Sequence, residues 1–454
     1  MHHVFTFTAE VITGRASALK TALASVAPGL PGLLETLGSL HFASLLIVPE
    51  SGTFPSYLVF ENNIDGTIDA YIEQLCTSAP VARALDTMFS NCVGYAAATP
   101  AGATSSATAP DVVRLRTYLR EKVVRPNTSF VGNVGRTVAR IRDEWTLVDK
   151  IEKQIDALVG KTPTATPQDL YNSVRSAIAA GSSWALQPKR NVSARDMWSR
   201  RLSFWALVPG ALLGLFLAPL DAILILRRIR GSMPPFSVTL SLLVAPLAAI
   251  VGVLLRHEIA DKPNGAPMRP QDLMRVTQRE DTTLSEDQRI DQNHFASVSV
   301  VKPGRFRRYL LRAVLFVMDR KAAASVNGTL SDLDNIHFAQ WVLLDGGRRL
   351  LFLTNYDGSW ENYLDDFIDR AASGLTAIWS NTIGFPKTWL LIWGGARNER
   401  QFKNAARRTQ IRAAVWYSAY PHYTVTSIQN NTEIRNGLAT PPRGSAVQTW
   451  LQRL

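Results

Sequence analysis

Cysteine is almost missing from this chain: among 454 residues there are two, Cys76 and Cys92. Two thiols cannot build a cystine framework or a four-thiolate zinc site, which excludes a disulfide-stapled scaffold and is compatible with a reducing compartment. Charge is also sparse, at 19% of residues against 46% hydrophobic, and that balance excludes a largely disordered protein. The length allows two or three ordinary domains. Several catalytic signatures are absent as well. There is no Gly-x-Ser-x-Gly elbow, His257-Glu258 lacks the second histidine of a zinc-protease helix, and Ile155 stands where a phosphate loop ending in Gly160-Lys161-Thr162 needs its first glycine. Met1-His2-His3-Val4-Phe5-Thr6 is no basic region leading into an apolar run, so a cleaved signal peptide is not expected. No metal site is expected either.

Basic charge is present but unevenly placed. Of the formal net charge of +12, half lies in residues 189–262, which hold ten Lys/Arg and four Asp/Glu around the most apolar part of the chain. That distribution argues against nucleic acid as a partner. Phe204–Leu226 is uncharged until Asp221, a loop Arg227–Pro235 follows, and Phe236–Leu255 carries no charge. A membrane-crossing helix needs about 20 apolar residues, so residues 202–256 are expected to form a two-span transmembrane hairpin with the lipid bilayer as partner. Seven basic residues flank the hairpin on the domain side (Lys189, Arg190, Arg195, Arg200, Arg201, Arg256, Lys262) against three in its loop. The positive-inside tendency then predicts a multi-pass protein of the cell (inner) membrane with cytoplasmic domains.

The segments on either side of that stretch repeat one another. Phe5–Val11 alternates as a strand and leads to Gly14-Arg15 and a helical run; His294–Val301 leads to Gly304-Arg305 and another. His41-Phe42-Ala43 and His337-Phe338-Ala339 open matching second strands. Third strands at Tyr57–Glu61 and Arg349–Thr354 run into Asn63-Ile64-Asp65-Gly66-Thr67 and Asn355-Tyr356-Asp357-Gly358-Ser359, each followed by a helix. The order predicts an α+β protein with two ferredoxin-like (βαββαβ) units pairing sheet to sheet. Ala413–Tyr420 is expected as the fourth strand of the second unit, whereas the fourth strand of the first is unassigned. The expected organisation is a first unit with helical extension (1–160), a linker with an amphipathic helix (161–201), the hairpin (202–256), a linker (257–290) and the second unit (291–454). Ala96–Pro110 reads as a low-complexity loop, and Thr166-Pro167 as the start of a helix.

This order of elements resembles the dimeric α+β barrel superfamily of dye-decolourising peroxidases and chlorite dismutases. Phrases such as Leu353–Trp360 and Ala413–Pro421 are similar to an uncharacterised bacterial membrane-protein family with no established activity. The peroxidase resemblance implies haem as a possible cofactor, a distal Gly-x-x-Asp-Gly motif and a proximal histidine. Asn62–Gly66 and Thr354–Gly358 keep Asp-Gly and lack the first glycine. Asp65 and Asp357 are therefore expected first as caps of the helices that follow them, and otherwise as haem-side acids. His41, His294 and His337 precede Phe-Ala at strand starts and are candidate haem ligands or proton shuttles, with His422 after the last strand as a further axial candidate. The other expectation for them is hydrogen bonding at a strand edge. Seven of eleven tryptophans lie in the second half (Trp341, Trp360, Trp379, Trp389, Trp393, Trp416, Trp450), expected in the core and then as walls of an apolar pocket. The leading expectation is an integral membrane protein whose paired cytoplasmic units form a surface for an unidentified protein or apolar small molecule, with no reaction assigned. The alternative is a haem-dependent, peroxidase-like oxidoreductase.

Overall fold

The computed structural model describes residues 2–95, 111–161, 166–187, 198, 202, 250–261, 291–324 and 333–454. The expected loop 96–110, the body of the expected hairpin (203–249) and most of the 257–290 linker lie outside them. In the first half the order is β1 (His2–Glu10), α1 (Ala16–Val26), α2 (Leu30–Glu35), β2 (Leu40–Val48), β3 (Tyr57–Asp65), α3 (Ile68–Thr77) and α4 (Ala79–Phe89). It continues with α5 (Val112–Lys122), β4 (Val123–Val124), β5 (Thr128–Val131), α6 (Val138–Lys161) and α7 (Pro167–Gly181). The second half runs β6 (Gln292–Val300), α8 (Arg305–Ala324), β7 (Ile336–Leu344), β8 (Arg349–Asp357) and α9 (Trp360–Trp379). A short hairpin β9 (Thr388–Trp389) and β10 (Trp393–Gly394) precedes α10 (Glu399–Thr409), β11 (Gln410–Ile411), β12 (Ala413–Ser418), α11 (Val425–Ala439) and α12 (Ser445–Leu451).

Two five-stranded antiparallel sheets result, ordered β12-β2-β3-β1-β4 and β11-β6-β8-β7-β5. Leu46, Val48 and Val59 of the first meet Ala296, Val342, Leu344, Leu351 and Leu353 of the second, so the sheets face one another over an apolar layer. Helices cover the outer faces, α1–α5 on the first sheet and α8–α10 on the second. Central strands therefore have cover on both sides, which is why Leu40–Val48 reads as a nearly continuous apolar run instead of alternating. Outside the sheets, α6, α7, α11 and α12 share a separate core built on Ile151, Tyr171, Ile434 and Trp450. Thr166 caps α7 with a reciprocal Asp169 capping box, and Pro167 occupies the first turn.

The fourth strands change places. β12, expected to complete the second unit, pairs with β2 in the first sheet, Ser418 opposite Phe42. β5, the strand left unassigned in the first unit, pairs with β7 in the second, Phe130 opposite Ala339. Among the described residues neither sheet closes on itself, so the closed barrel implied by the resemblance is corrected to two open sheets.

The membrane expectation is corrected as well. No helix among the described residues is long and apolar enough to cross a membrane. The described end of the expected second span, within a helical segment over residues 250–260, docks on protein. Leu254 is buried, His257 stacks on Phe306 at 4.9 Å, and the fully buried Glu258 carboxylate accepts the N–H groups of Leu390 (2.7 Å) and Leu391 (3.0 Å). A buried acid that ties down the β9–β10 turn is the chemistry of a packed helix end. The inner-membrane localisation and the bilayer partner are set aside with the hairpin.

Candidate functional site

Polar side chains converge where the strand ends of the two halves meet. In β2 and β7 the register shifts between Leu40 and Phe42 and between Ile336 and Phe338, which makes His41 and His337 the extra residues of two equivalent bulges. A bulge re-aims its unpaired residue, and here it turns each imidazole toward the aspartate that ends the neighbouring strand. Asp65 Oδ1 lies 3.1 Å from His41 Nε2 and 3.1 Å from His2 Nδ1, while Asp65 Oδ2 accepts the Val138 N–H at 2.8 Å. His41 Nδ1 meets the Tyr420 hydroxyl at 2.7 Å, and His2 Nε2 accepts the Gly135 N–H at 3.0 Å. The second half repeats the scheme. His337 Nε2 is 2.7 Å from Asp357 Oδ1, Asp357 Oδ2 accepts the Val425 N–H at 2.7 Å, and Gln292 stands in the position of His2. Tyr420 lies between the two, its ring centre 5.7 Å from His41 and 5.9 Å from His337.

The two aspartates are thus not the caps of the helices that follow them. Thr67 and Ser359 cap α3 and α9 by accepting the Ala70 and Asn362 N–H groups. Gly66 and Gly358, at φ +85° and +77°, turn the chain so that the preceding aspartate faces back to the strand ends. There each carboxylate accepts the first N–H of a helix remote in sequence, α6 for Asp65 and α11 for Asp357.

Electrostatics differ across the cluster. Burial drives the His41 pKa down to about 4, with Asp65 pulling the other way, so His41 is neutral at pH 7. Burial pushes the Asp65 carboxyl up, but His2, His41 and the Val138 amide together hold it well below the usual carboxylate range. Burial, then Asp65 and Asp357, raise Tyr420 well above its ordinary value.

His294 lies in a different group. Its Nε2 is 2.9 Å from Oε2 of Glu61, a fully buried carboxylate that also accepts Ser44 Oγ–H (2.6 Å), Asn63 Nδ2–H (3.0 Å) and Asn355 Nδ2–H (3.0 Å). Glu61 and Ser44 belong to the first sheet, and His294 and Asn355 to the second. His422 is 78% exposed beside Asp291 and joins neither group. The tryptophans divide: Trp341, Trp360 and Trp450 are core, Trp379 is buried against a cavity, Trp389 and Trp393 are exposed, and Trp416 donates to Asn355.

These positions correct the haem alternative. An axial ligand needs a ring nitrogen directed into a haem-sized cleft. His41 Nδ1 is on the Tyr420 hydroxyl and its Nε2 faces Asp65 instead of a cleft, His294 is on Glu61 and His337 is on Asp357. Neither the cavity beneath β6 and β8 nor the groove along α1 is lined by any of them. Among the described residues, what comes together is a set of metal-ligand type: His2, His41 and Asp65 each offer one atom, all within 4.8 Å of one another. His2, Tyr420 and Glu61 were not singled out from the sequence. The signal for Glu61 was available, since Leu58-Val59-Phe60-Glu61 places one acid in an apolar strand. No family model, curated protein or solved structure matches this chain, so neither family resemblance is supported.

Proposed function

We propose that the protein binds one divalent transition-metal ion between His2 Nδ1, His41 Nε2 and Asp65 Oδ1. One observation carries this reading: three buried ligand atoms approach one another, yet none of them completes a hydrogen bond. Around zinc, bonds of about 2.0–2.1 Å to nitrogen and oxygen hold tetrahedral neighbours roughly 3.3 Å apart, close to the two 3.1 Å separations here. Two imidazoles and a carboxylate suit zinc or a neighbouring first-row ion and leave a fourth position open. Asp65 is ionised and His41 carries a single ring proton, so the ion is accepted in the tautomer that holds this proton on Nδ1, beside the Tyr420 hydroxyl. Tyr420 supplies the outer contact, since its hydroxyl oxygen can accept an Nδ1–H and so leave Nε2 for the ion.

His2 carries the cost. A metal on Nδ1 requires a proton on Nε2, which now accepts from Gly135, so that contact must open as the ion enters. The Gly135 amide is therefore a reporter of binding. The second half is a built-in control, because Gln292 replaces the His2 ligand there. Titration of the chelator-treated full chain with zinc, and with cobalt read by its visible spectrum, should give one site, lost in His2→Gln and Asp65→Asn and kept in Asp357→Asn. Unchanged stoichiometry and affinity in His2→Gln would overturn the assignment.

A further inference from the structure

The duplication reveals a second feature, far from the histidines. In the first sheet Phe7 stands opposite Phe60, and in the second the matching position, opposite Phe352, is Ser297. Two residues along, Ala9 is matched by Ser299. Phe7 is fully buried, with its ring centre 5.2 Å from Phe5 and 5.8 Å from Phe60, and it fills the space between that sheet and its helices. In the second half the flanking pair remains, Phe295 and Phe352 at 6.1 Å, but the ring between them is gone. A cavity of about 190 Å³ lies there, bounded by β6, β8, α9 and α10.

Its walls are aromatic, with Phe295, Phe352, Phe367, Trp379, Phe385 and Phe402, and its few polar groups are placed at particular points. Ser297, Ser299 and Thr382 bring hydroxyls to one wall, and Arg408 stands near Gly384 with a 3.3 Å contact to its carbonyl. Apolar voids of about 150 Å³ hold benzene, so this cavity has room for a ring of about eight heavy atoms in all. The cavity is partly open to solvent, which gives a ligand a way in, and hydroxyls in an aromatic cage recognise a ring bearing one small polar group.

We infer that this cavity is a binding site for a single-ring aromatic compound carrying one hydrogen-bonding substituent, of the phenol class. The occupant takes the volume that Phe7 fills in the other half. Its ring packs against Phe352 and Trp379, and its hydroxyl reaches Ser297, Ser299 or Thr382.

The test is calorimetric titration of the full chain with p-cresol and with toluene, in wild type, Ser297→Phe, Ser297→Leu and Ser297→Ala. Expected are saturable 1:1 binding of p-cresol to wild type, weaker binding of toluene, and at least tenfold weaker p-cresol binding in Ser297→Phe, whose melting temperature should be equal to or above that of wild type. If the phenyl group strains the fold, Ser297→Leu should show the same loss in smaller degree. Ser297→Ala keeps the space and should retain toluene, and adding Ser299→Ala and Thr382→Val to it, which removes every hydroxyl offered to the ring substituent, should abolish the preference for p-cresol. Absence of saturable binding to wild type, or undiminished p-cresol affinity in folded Ser297→Phe and Ser297→Leu, would overturn the inference. Because His2, His41 and Asp65 take no part, the outcome is independent of metal binding.

Discussion

Replacing Glu61 by leucine tests how the sheets are held together. The matching residue in the second half is Leu353, and the counterpart of His294 is Val4, so the duplication carries apolar residues at both equivalent positions. In Glu61→Leu four groups lose their acceptor: the His294 ring, Ser44, Asn63 and Asn355. Removing one partner of a buried pair costs about 3–5 kcal/mol. His294→Val added to Glu61→Leu removes the stranded imidazole but leaves the hydroxyl and two amides, at about 1 kcal/mol or more for each group left unsatisfied. The double variant should therefore recover about 1–3 kcal/mol relative to additivity and still fall below wild type. Guanidinium unfolding of the four chains, with equal slopes, measures this cycle. A loss of under about 1 kcal/mol in Glu61→Leu, below the range for a broken buried pair, or strict additivity of the two changes, would show that the network does not act as one unit.

The same residue sets an acid limit. Burial pushes the Glu61 carboxyl up, but His294, Ser44 and Asn63 outweigh it and hold the pKa below the ordinary 4.5. The unfolded chain then takes up the proton first, so the Glu61 contribution is complete above about pH 4.5 and falls away as pH drops toward the folded value. Denaturation curves from pH 7 to 3 should lose this part of their acid slope in Glu61→Leu. Asp357→Ala should cost about 2 kcal/mol from a lost cap and an unpaired His337 contact. Hydrogen exchange should quicken at Val425 and the first turn of α11 while the first turn of α9, capped by Ser359, stays protected. Burial raises the Cys92 thiol to about 12, and Cys76 is buried as well, so aromatic disulfide reagents should label neither until the chain unfolds. Labelling of the native chain at the rate of free cysteine would contradict that packing.

The duplication was legible because strand periodicity and the Asp-Gly-Thr/Ser junctions are local signals, and the strands His2–Glu10, Leu40–Val48, Gln292–Val300 and Ile336–Leu344 fall where alternation and the His-Phe-Ala phrases place them. The exchange of fourth strands was not legible, since the pairing of β5 with β7 and of β12 with β2 is decided by tertiary fit between residues roughly half a chain or more apart. The aspartates do not cap the helices that follow them. Asp65 and Thr67 compete for one cap, and only the left-handed glycine between them sends the carboxylate elsewhere. His2 was missed because its meaning lies in the register that sets it opposite Asp65. Length and lack of charge make 204–255 resemble a hairpin, and neither property registers the buried Glu258 just beyond it.

The exchange of edge strands also governs how this chain must be made. A nascent first half has β2 with one bare edge until β12 has been synthesised, more than 360 residues later. The second half in turn needs β5 from the first. Neither half is a self-sufficient folding unit, and one expressed alone should present an open, apolar strand edge that recruits a second copy, restoring by dimerisation the pairing that the fused chain makes within itself. Covalent linkage turns that encounter into an intramolecular one, with an effective concentration no separate pair of halves would reach at cellular levels. A cut between the halves should therefore be tolerated after folding and damaging before it.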